Sequence, residues 1–517
     1  MPRHQYHHVE NTEWDLPTHR ATLNFEGEEA FLDQKDLPMD FYDAKFYPYN
    51  PPGAAPILAI ISKTHVIVCR VVEARDSPIE IIRLFRSEKL NGDIKGQGDA
   101  NIACCWALDA ETQRPLLCVA GDDANITVHD VVAGTVVKTF VGHGSGINDL
   151  STSPANPQII ASASEDTTVR IWSLSPIHQK QPCVVLLGGE GHSWDLLSVA
   201  FHDNGRYILS SGHDQVINLW ALPDIPQEHI HNPLVVHYPH FSTCAIHSGS
   251  VDCVAFLGDN ILSRAAFEDT IVLWRIEGFN SEDPPPSPSE APTTYDPKQN
   301  TRSAFGPGPS SSYPAQYTRL LEFGAAGCSN NFFLRFQVFQ APGRHPVLAF
   351  GNAKNKMYFW DLERLTAYHE FKAHVLNPGR NKSKPIERPS WLQLKGGPRK
   401  DSRKGKGIDE ASTVSIASTP VPVPADMDVT GTCTDMATVL AVHPEIVQNW
   451  ESMYSMNHSH NHPLKPHRTI VLNEKQNYKA NQVAWSPEGD WCVVVGDYNR
   501  ACFFQRWSGQ KPRPGST

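Results

Sequence analysis

Residues 142–174, GHGSGINDLSTSPANPQIIASASEDTTVRIWSL, can be laid directly over residues 191–222, GHSWDLLSVAFHDNGRYILSSGHDQVINLWAL, and that self-similarity decides the fold. Each stretch opens on Gly-His, passes through an alternating strand and turns at a polar cluster, Ser153 to Pro157 or Asp203 to Gly205. A second strand follows, Ile159 to Ser162 or Tyr207 to Ser210. An Asp-containing turn then leads into a β-branched strand ending at Trp172 or Trp220. Three short strands of period-two alternation plus a fourth carried by the loop make one blade of a β-propeller.

Five weaker copies surround this pair. His247 to Ile276 repeats the pattern without the opening glycine and with its turn one residue out of step. Phe41 to Val72, Asn101 to Val132, Cys328 to Leu362 and Lys479 to Trp507 follow the same order of strand, turn and strand. Seven units suffice to close a ring, so the sequence predicts an all-β, seven-bladed propeller spanning 29–507, with tails at 1–28 and 508–517. Closing the ring removes the exposed sheet edge, and a strand within Glu29 to Asp36 is the expected partner for the last blade.

The recurring polar residues have a structural reading. In blades of this kind a loop histidine, a turn aspartate, a strand serine and a strand tryptophan form a buried hydrogen-bond chain, here His143, Asp166, Ser162 and Trp172, and again His192, Asp214, Ser210 and Trp220. A buried network is costly unless every member is paired, so the four types must occur together. Their repetition argues against a catalytic pair, since an active site is needed once. No nucleophile elbow, phosphate loop or closely spaced carboxylate pair stands outside the repeats, and no cofactor is expected.

Two stretches break the pattern. Residues 279–314 are rich in Pro and Ser, and 365–475 hold a basic loop, a Thr-Pro-Val-Pro-Val-Pro run from Thr419 to Pro424 and a His-rich stretch. Both read as disordered insertions, because such composition buries too little apolar area to offset chain entropy. Only Asp435 to Tyr454, interrupted by Pro444, carries helical spacing. His458, His460 and His462 have metal-ligand character but no cysteine or carboxylate beside them, so they read as a solvated loop and no metal is expected.

Between Gly379 and Gly407 ten Lys or Arg face Glu387 and Asp401, a local charge of +8 within a chain of -11, which leaves the remainder at -19. An acidic body attracts basic ligands, whereas the basic loop suits weak, sequence-independent contact with nucleic acid. The 11 cysteines lack any C-x-x-C spacing and read as buried free thiols of a reducing compartment. No run of roughly 18 apolar residues is present to span a membrane. An intracellular protein is the expectation.

Several blades carry a more specific signature. Gly142-His143-Gly144 with Ile147-Asn148, Ser164-Glu165-Asp166 and Val169-Arg170-Ile171-Trp172 is one, and Val251-Asp252-Cys253-Val254 followed by Leu257 to Ser263 is the strongest. Gly351-Asn352 with Tyr358 to Leu362, and Pro115 to Leu117 leading to Val119-Ala120-Gly121, extend it. These stretches resemble the WD-repeat subunit of the Polycomb group, the embryonic ectoderm development or extra sex combs family. The resemblance touches all seven blades and neither insertion. It implies a nuclear scaffold subunit of a Polycomb repressive histone methyltransferase complex. Such a subunit holds a helix of the methyltransferase subunit on one face and reads a trimethylated lysine of a histone tail on the other. A WD-repeat adaptor of another assembly, such as a ubiquitin ligase or histone chaperone, is the alternative.

A quaternary ammonium cannot donate hydrogen bonds and is held by aromatic faces. The positions that the family uses for this fall here on Tyr42, on Phe332-Phe333, and on a site near Ile102 or Ala103, which is not aromatic. Trp194, in the loop after Gly191-His192, is the expected substitute wall.

Overall fold

The computed structural model describes residues 15–25, 40–72, 78–86, 100–293, 300–306, 316–328, 331–379, 381, 386–392, 432–433, 444–456, 462–473 and 477–506. These fall into two compact units, the larger holding the repeats and the smaller running from Leu362 to Lys465.

The alternating runs of the larger unit become seven antiparallel sheets. Their innermost strands, one per blade, are Phe41–Phe46, Asn101–Leu108, Ile147–Ser153, Leu196–Phe201, Val251–Leu257, Gln337–Phe339 and Ala480–Trp485. Apolar side chains on both faces of these sheets form core clusters between neighbouring blades. Blades two and three, for instance, share Cys105, Cys118, Phe140, Ile160 and Trp172, with Phe140 stacked on Trp172 at 5.3 Å. Burial on two faces explains why the second and third strands read as near-continuous apolar runs, such as Trp491–Gly496 and Arg500–Gln505.

Ring closure comes from an unexpected segment. Thr18–Asn24 pairs antiparallel with Arg500–Gln505 and completes the seventh sheet. It lies inside the stretch expected to be a tail, whereas the expected strand, 29–36, falls outside the described residues. Thr18–Asn24 carries little hydrophobic signal because both its faces are only half-buried, so its pairing rests on backbone hydrogen bonds.

Within 279–314, expected to be a disordered insertion, Thr301–Ser303 adds a fifth strand to blade four beside Phe241–Thr243. Phe279 and Phe305 pack on Tyr207 at 5.0 and 6.4 Å, and His240 Nε2 lies 3.1 Å from the carbonyl oxygen of Ser287. A few aromatics at irregular spacing anchor this segment, which periodicity cannot reveal. Blade three also gains a fifth strand, Leu234–Val236, in parallel pairing.

The smaller unit occupies much of the second expected insertion. Helices Glu363–Leu376 and Pro444–Tyr454 enclose a core of Tyr368, Phe371, Val375, Leu392, Ile446, Trp450 and Tyr454. Pro444 is the first described residue of the second helix, and the earlier part of the expected helical stretch, 435–443, lies outside the described residues. Of the basic stretch 379–407, only 379, 381 and 386–392 are described, and the His-rich stretch is described only at His462. Among the described residues no helix is long and apolar enough to cross a membrane. Ten described cysteines are free, all buried except Cys244.

The predicted polar chains have short hydrogen bonds. In blade three His143 Nδ1 lies 2.8 Å from Asp166 and Nε2 2.6 Å from Ser162 Oγ, which also accepts from Trp172 Nε1 at 2.8 Å. In blade four His192, Asp214, Ser210 and Trp220 repeat this at 3.0, 2.8 and 2.8 Å. Blade five holds a third chain that the sequence reading missed: His247 Nδ1 is 2.6 Å from Glu268, His247 Nε2 is 2.8 Å from Ser263, and Trp274 Nε1 donates to Ser263 at 3.0 Å. Glu268 replaces the usual aspartate, its longer side chain making up the one-residue shift of the turn. Burial pushes the Glu268 carboxyl up, but hydrogen bonds from His247 and Ser248 outweigh it and bring it down to about 2.

Removing the shared hydroxyl leaves two buried groups, His143 Nε2 and Trp172 Nε1, without their partner. Ser162→Ala should therefore cost about 2–6 kcal/mol at roughly 1–3 kcal/mol per orphaned group, measured by urea unfolding. An unchanged midpoint would show that the chain of bonds contributes nothing.

Candidate functional site

The inner strands share one local feature. In six blades the pairing register of the inner strand shifts at its second residue: Tyr42, Ile102, Asn148, Leu197, Asp252 and Asn481. A bulge leaves its residue out of the ladder and re-aims it. These six residues are where the central chemistry gathers.

A cavity of about 250 Å³ is lined by Tyr42, Lys63, Ala100, Ile102, Asp122, Phe333 and Arg335. Tyr42 and Ile102 are the bulge residues of blades one and two, while Phe333 and Arg335 precede the inner strand of blade six. Gly121 lets Ala100 take its place in the wall, for a Cβ there would stand 1.7 Å from the Ala100 carbonyl oxygen. Phe333 has φ +56°, a left-handed conformation uncommon for a bulky residue.

The walls include the aromatic side chains of Tyr42 and Phe333, and the charges around them are mixed: Lys63 and Arg335 line the cavity with Asp122, while Asp40 and Asp497 also act on Tyr42. Burial raises the Tyr42 hydroxyl, and Asp40, Asp122 and Asp497 raise it further, so the ring stays neutral at physiological pH. Burial, together with the charge of Asp40, lifts Asp497 to about 6. Beneath the cavity the Arg335 guanidinium lies 5.8 Å from the Phe333 ring centroid. Its charge is met by Asp149 at 2.8 Å and by the carbonyl oxygens of Asn148 and Leu197 at 2.8 and 2.9 Å.

Of the four residues expected to bind the ligand, the structure brings two together. Tyr42, 37% exposed, and Phe333 line the cavity. Phe332 does not; it packs on His213 at 5.3 Å and edge-on to Phe267 at 5.1 Å. The left-handed backbone at Phe333 turns the two neighbouring rings to different sides. Trp194 is 66% exposed and is not among the lining residues of this cavity. The third wall is aliphatic, made by Ile102 itself. Sequence reading missed Arg335 and Asp122; the local signal for both was a charged residue within two positions of a strand end, too common to single them out. Among the described residues no group of His, Cys, Asp or Glu could hold a metal ion.

Seven sheets closed in a ring with Gly-His and Trp-bearing blades define a WD-repeat propeller, and the WD domain, G-beta repeat family matches residues 134–173 and 182–221. The Polycomb protein EED of Chaetomium thermophilum is 44% identical over 97% of this chain and 98% of its own length. The Polycomb protein esc of Drosophila melanogaster is 31% identical over 50% of this chain and 57% of its own. The crystal structure of the Chaetomium thermophilum polycomb repressive complex 2 contains a chain with TM-score 0.80 and 45% identity, matching 97% of this chain and all of that one. The structure of ctPRC2 in complex with H3K27me3 and H3K27M matches with the same TM-score, identity and coverage. The chain belongs to the Polycomb EED family.

The carboxylate at Asp497 yields a pH prediction. Above about 6 it is ionised and favours a cation near Tyr42; below that it is neutral and one attractive charge is lost. Affinity for a quaternary ammonium ligand should fall as pH drops from 7.5 to 5.5, and Asp497→Asn should flatten the profile. A flat wild-type profile, measured by calorimetry, would remove Asp497 from the site.

Proposed function

We propose that this chain is the non-catalytic propeller subunit of a Polycomb repressive histone methyltransferase complex, acting in the nucleus as scaffold and histone-tail reader. It holds a helix of the methyltransferase subunit on one propeller face and takes a methylated lysine of a histone tail into the cavity between Tyr42 and Phe333. The observation that carries the reading is the meeting of these two rings from blades one and six in a single cavity, with Asp40, Asp122 and Asp497 acting on Tyr42. A methylated ammonium loses its hydrogen-bonding capacity with each methyl group, so aromatic faces and nearby carboxylates are what it can use. Family membership supports the partners, since the similar chains are members of polycomb repressive complex 2. The basic stretch 379–407 adds a weak, salt-sensitive contact with nucleic acid, as its charge of +8 against phosphate suggests.

A desolvated cation–π contact contributes about 2 kcal/mol, or roughly thirtyfold in affinity. Titration of a trimethyl-lysine histone peptide should show that loss for Phe333→Ala and for Tyr42→Ala, with Trp194→Ala unchanged. Equal binding of methylated and unmodified peptide by the wild type would mean that the scaffold role stands without the reading role.

A further inference from the structure

The two aromatic walls reach the cavity by different means. Tyr42 is a bulge residue held between Phe41 and Asp43, which are both paired in the ladder of its own sheet. Phe333 lies outside any strand, in left-handed backbone, and nothing in its own sequence favours that conformation. Something else must hold it.

The holding groups are buried charges from blade five. Arg264, fully buried in the second strand of that blade, donates through Nη1 to both oxygens of Asp252 at 2.7 and 2.6 Å. The same Nη1 reaches the carbonyl oxygen of Leu334 at 3.2 Å, and Nη2 reaches that of Asn331 at 3.3 Å. One ion pair therefore satisfies the carbonyl oxygens of residues 331 and 334, on either side of Phe333. A buried ion pair is costly to desolvate, and an apolar pair of similar volume would often be at least as stable. What apolar side chains could not do is hydrogen-bond two backbone carbonyls of a loop that has no ladder.

We propose that Asp252 and Arg264 are the positioning residues of the methyl-lysine cavity: the pair sets the 331–334 loop so that the Phe333 ring faces Tyr42, though neither residue lines the cavity. The functional half rests on the reading of the cavity given above; the structural half does not. The planar fork is essential, because a lysine ammonium is a single point of charge and cannot reach Asp252, Leu334 and Asn331 at once. Arg264→Lys thus keeps the charge and loses the geometry.

The test uses the full chain with 4-fluorophenylalanine at position 333, read by fluorine NMR, alongside titration of trimethyl-lysine and unmodified histone peptides. For Arg264→Lys the fluorine resonance should shift or broaden, and affinity for the methylated peptide should fall roughly tenfold or more, as for other residues that orient a binding group from behind. Affinity for the unmodified peptide should not change. A resonance and an affinity within twofold of the wild type would overturn the proposal. If Arg264→Lys does not fold, the charge-balanced double variant D252N/R264Q gives the same readings with the same expectations. Should the wild type fail to distinguish the two peptides, the reading of the cavity falls. The resonance then decides positioning alone, a moved signal supporting it and an unmoved one refuting it.

Discussion

Every feature of the larger unit depends on one constraint: a ring of sheets has to close on itself. The closing contact is the pairing of Thr18–Asn24 with Arg500–Gln505, which places both ends of the repeat region in one sheet. Backbone groups that would otherwise form an open sheet edge are satisfied there. Closure also decides the functional geometry. Blades one and six are brought to either side of blade seven, so Tyr42 and Phe333 can share a cavity although most of the chain separates them. The backbone N–H of Arg335 donates to Asn481 of blade seven at 2.9 Å, and Asn481 Nδ2 donates to the Phe41 carbonyl at 2.9 Å. The wall residues of blades one and six are thus linked through the blade between them.

A second economy lies in the repeated bulge. The same register shift yields an aromatic wall at Tyr42, an aliphatic one at Ile102, an acceptor carbonyl at Asn148 and Leu197, and a buried carboxylate at Asp252. The residue after the bulge then ties blades together: Asp43 accepts the N–H of Cys104 at 2.9 Å, and Asp149 that of Val199 at 3.0 Å. One backbone device, filled by different side chains, contributes to both the ring's cohesion and the cavity lined by Tyr42 and Ile102. In this respect function is grafted onto a structural repeat without altering it.

How much of this the sequence discloses follows from the range of the interactions. The blades are legible because alternation is local, and the chains His143–Ser162–Asp166–Trp172 and His192–Ser210–Asp214–Trp220 because their members recur at similar spacing. Glu268 was hidden by a substitution that changes type and register together. Tyr42 and Phe333 were reachable through family resemblance; composition alone would leave both in the core. Phe332 lies outside the cavity lining, and nothing in Phe332-Phe333 announces the φ of +56° at Phe333. Trp194 also lies outside that lining, and an exposed loop aromatic has no signature that separates it from a ligand wall. The closing strand and the fifth strand at Thr301–Ser303 escaped notice because short, half-buried strands carry almost no hydrophobic pattern.

The central claim is that ring closure assembles a cation-binding cavity from Tyr42, Phe333 and Ile102 above the Arg335–Asp149 pair. Its most direct test is a crystal structure of the chain with a trimethyl-lysine histone peptide. The account predicts the methylated ammonium between the Tyr42 and Phe333 rings, with Ile102 against it and Arg335 still bonded to Asp149. An ammonium seated instead against Phe332, Phe267 or Trp194, with the cavity unfilled, would contradict it.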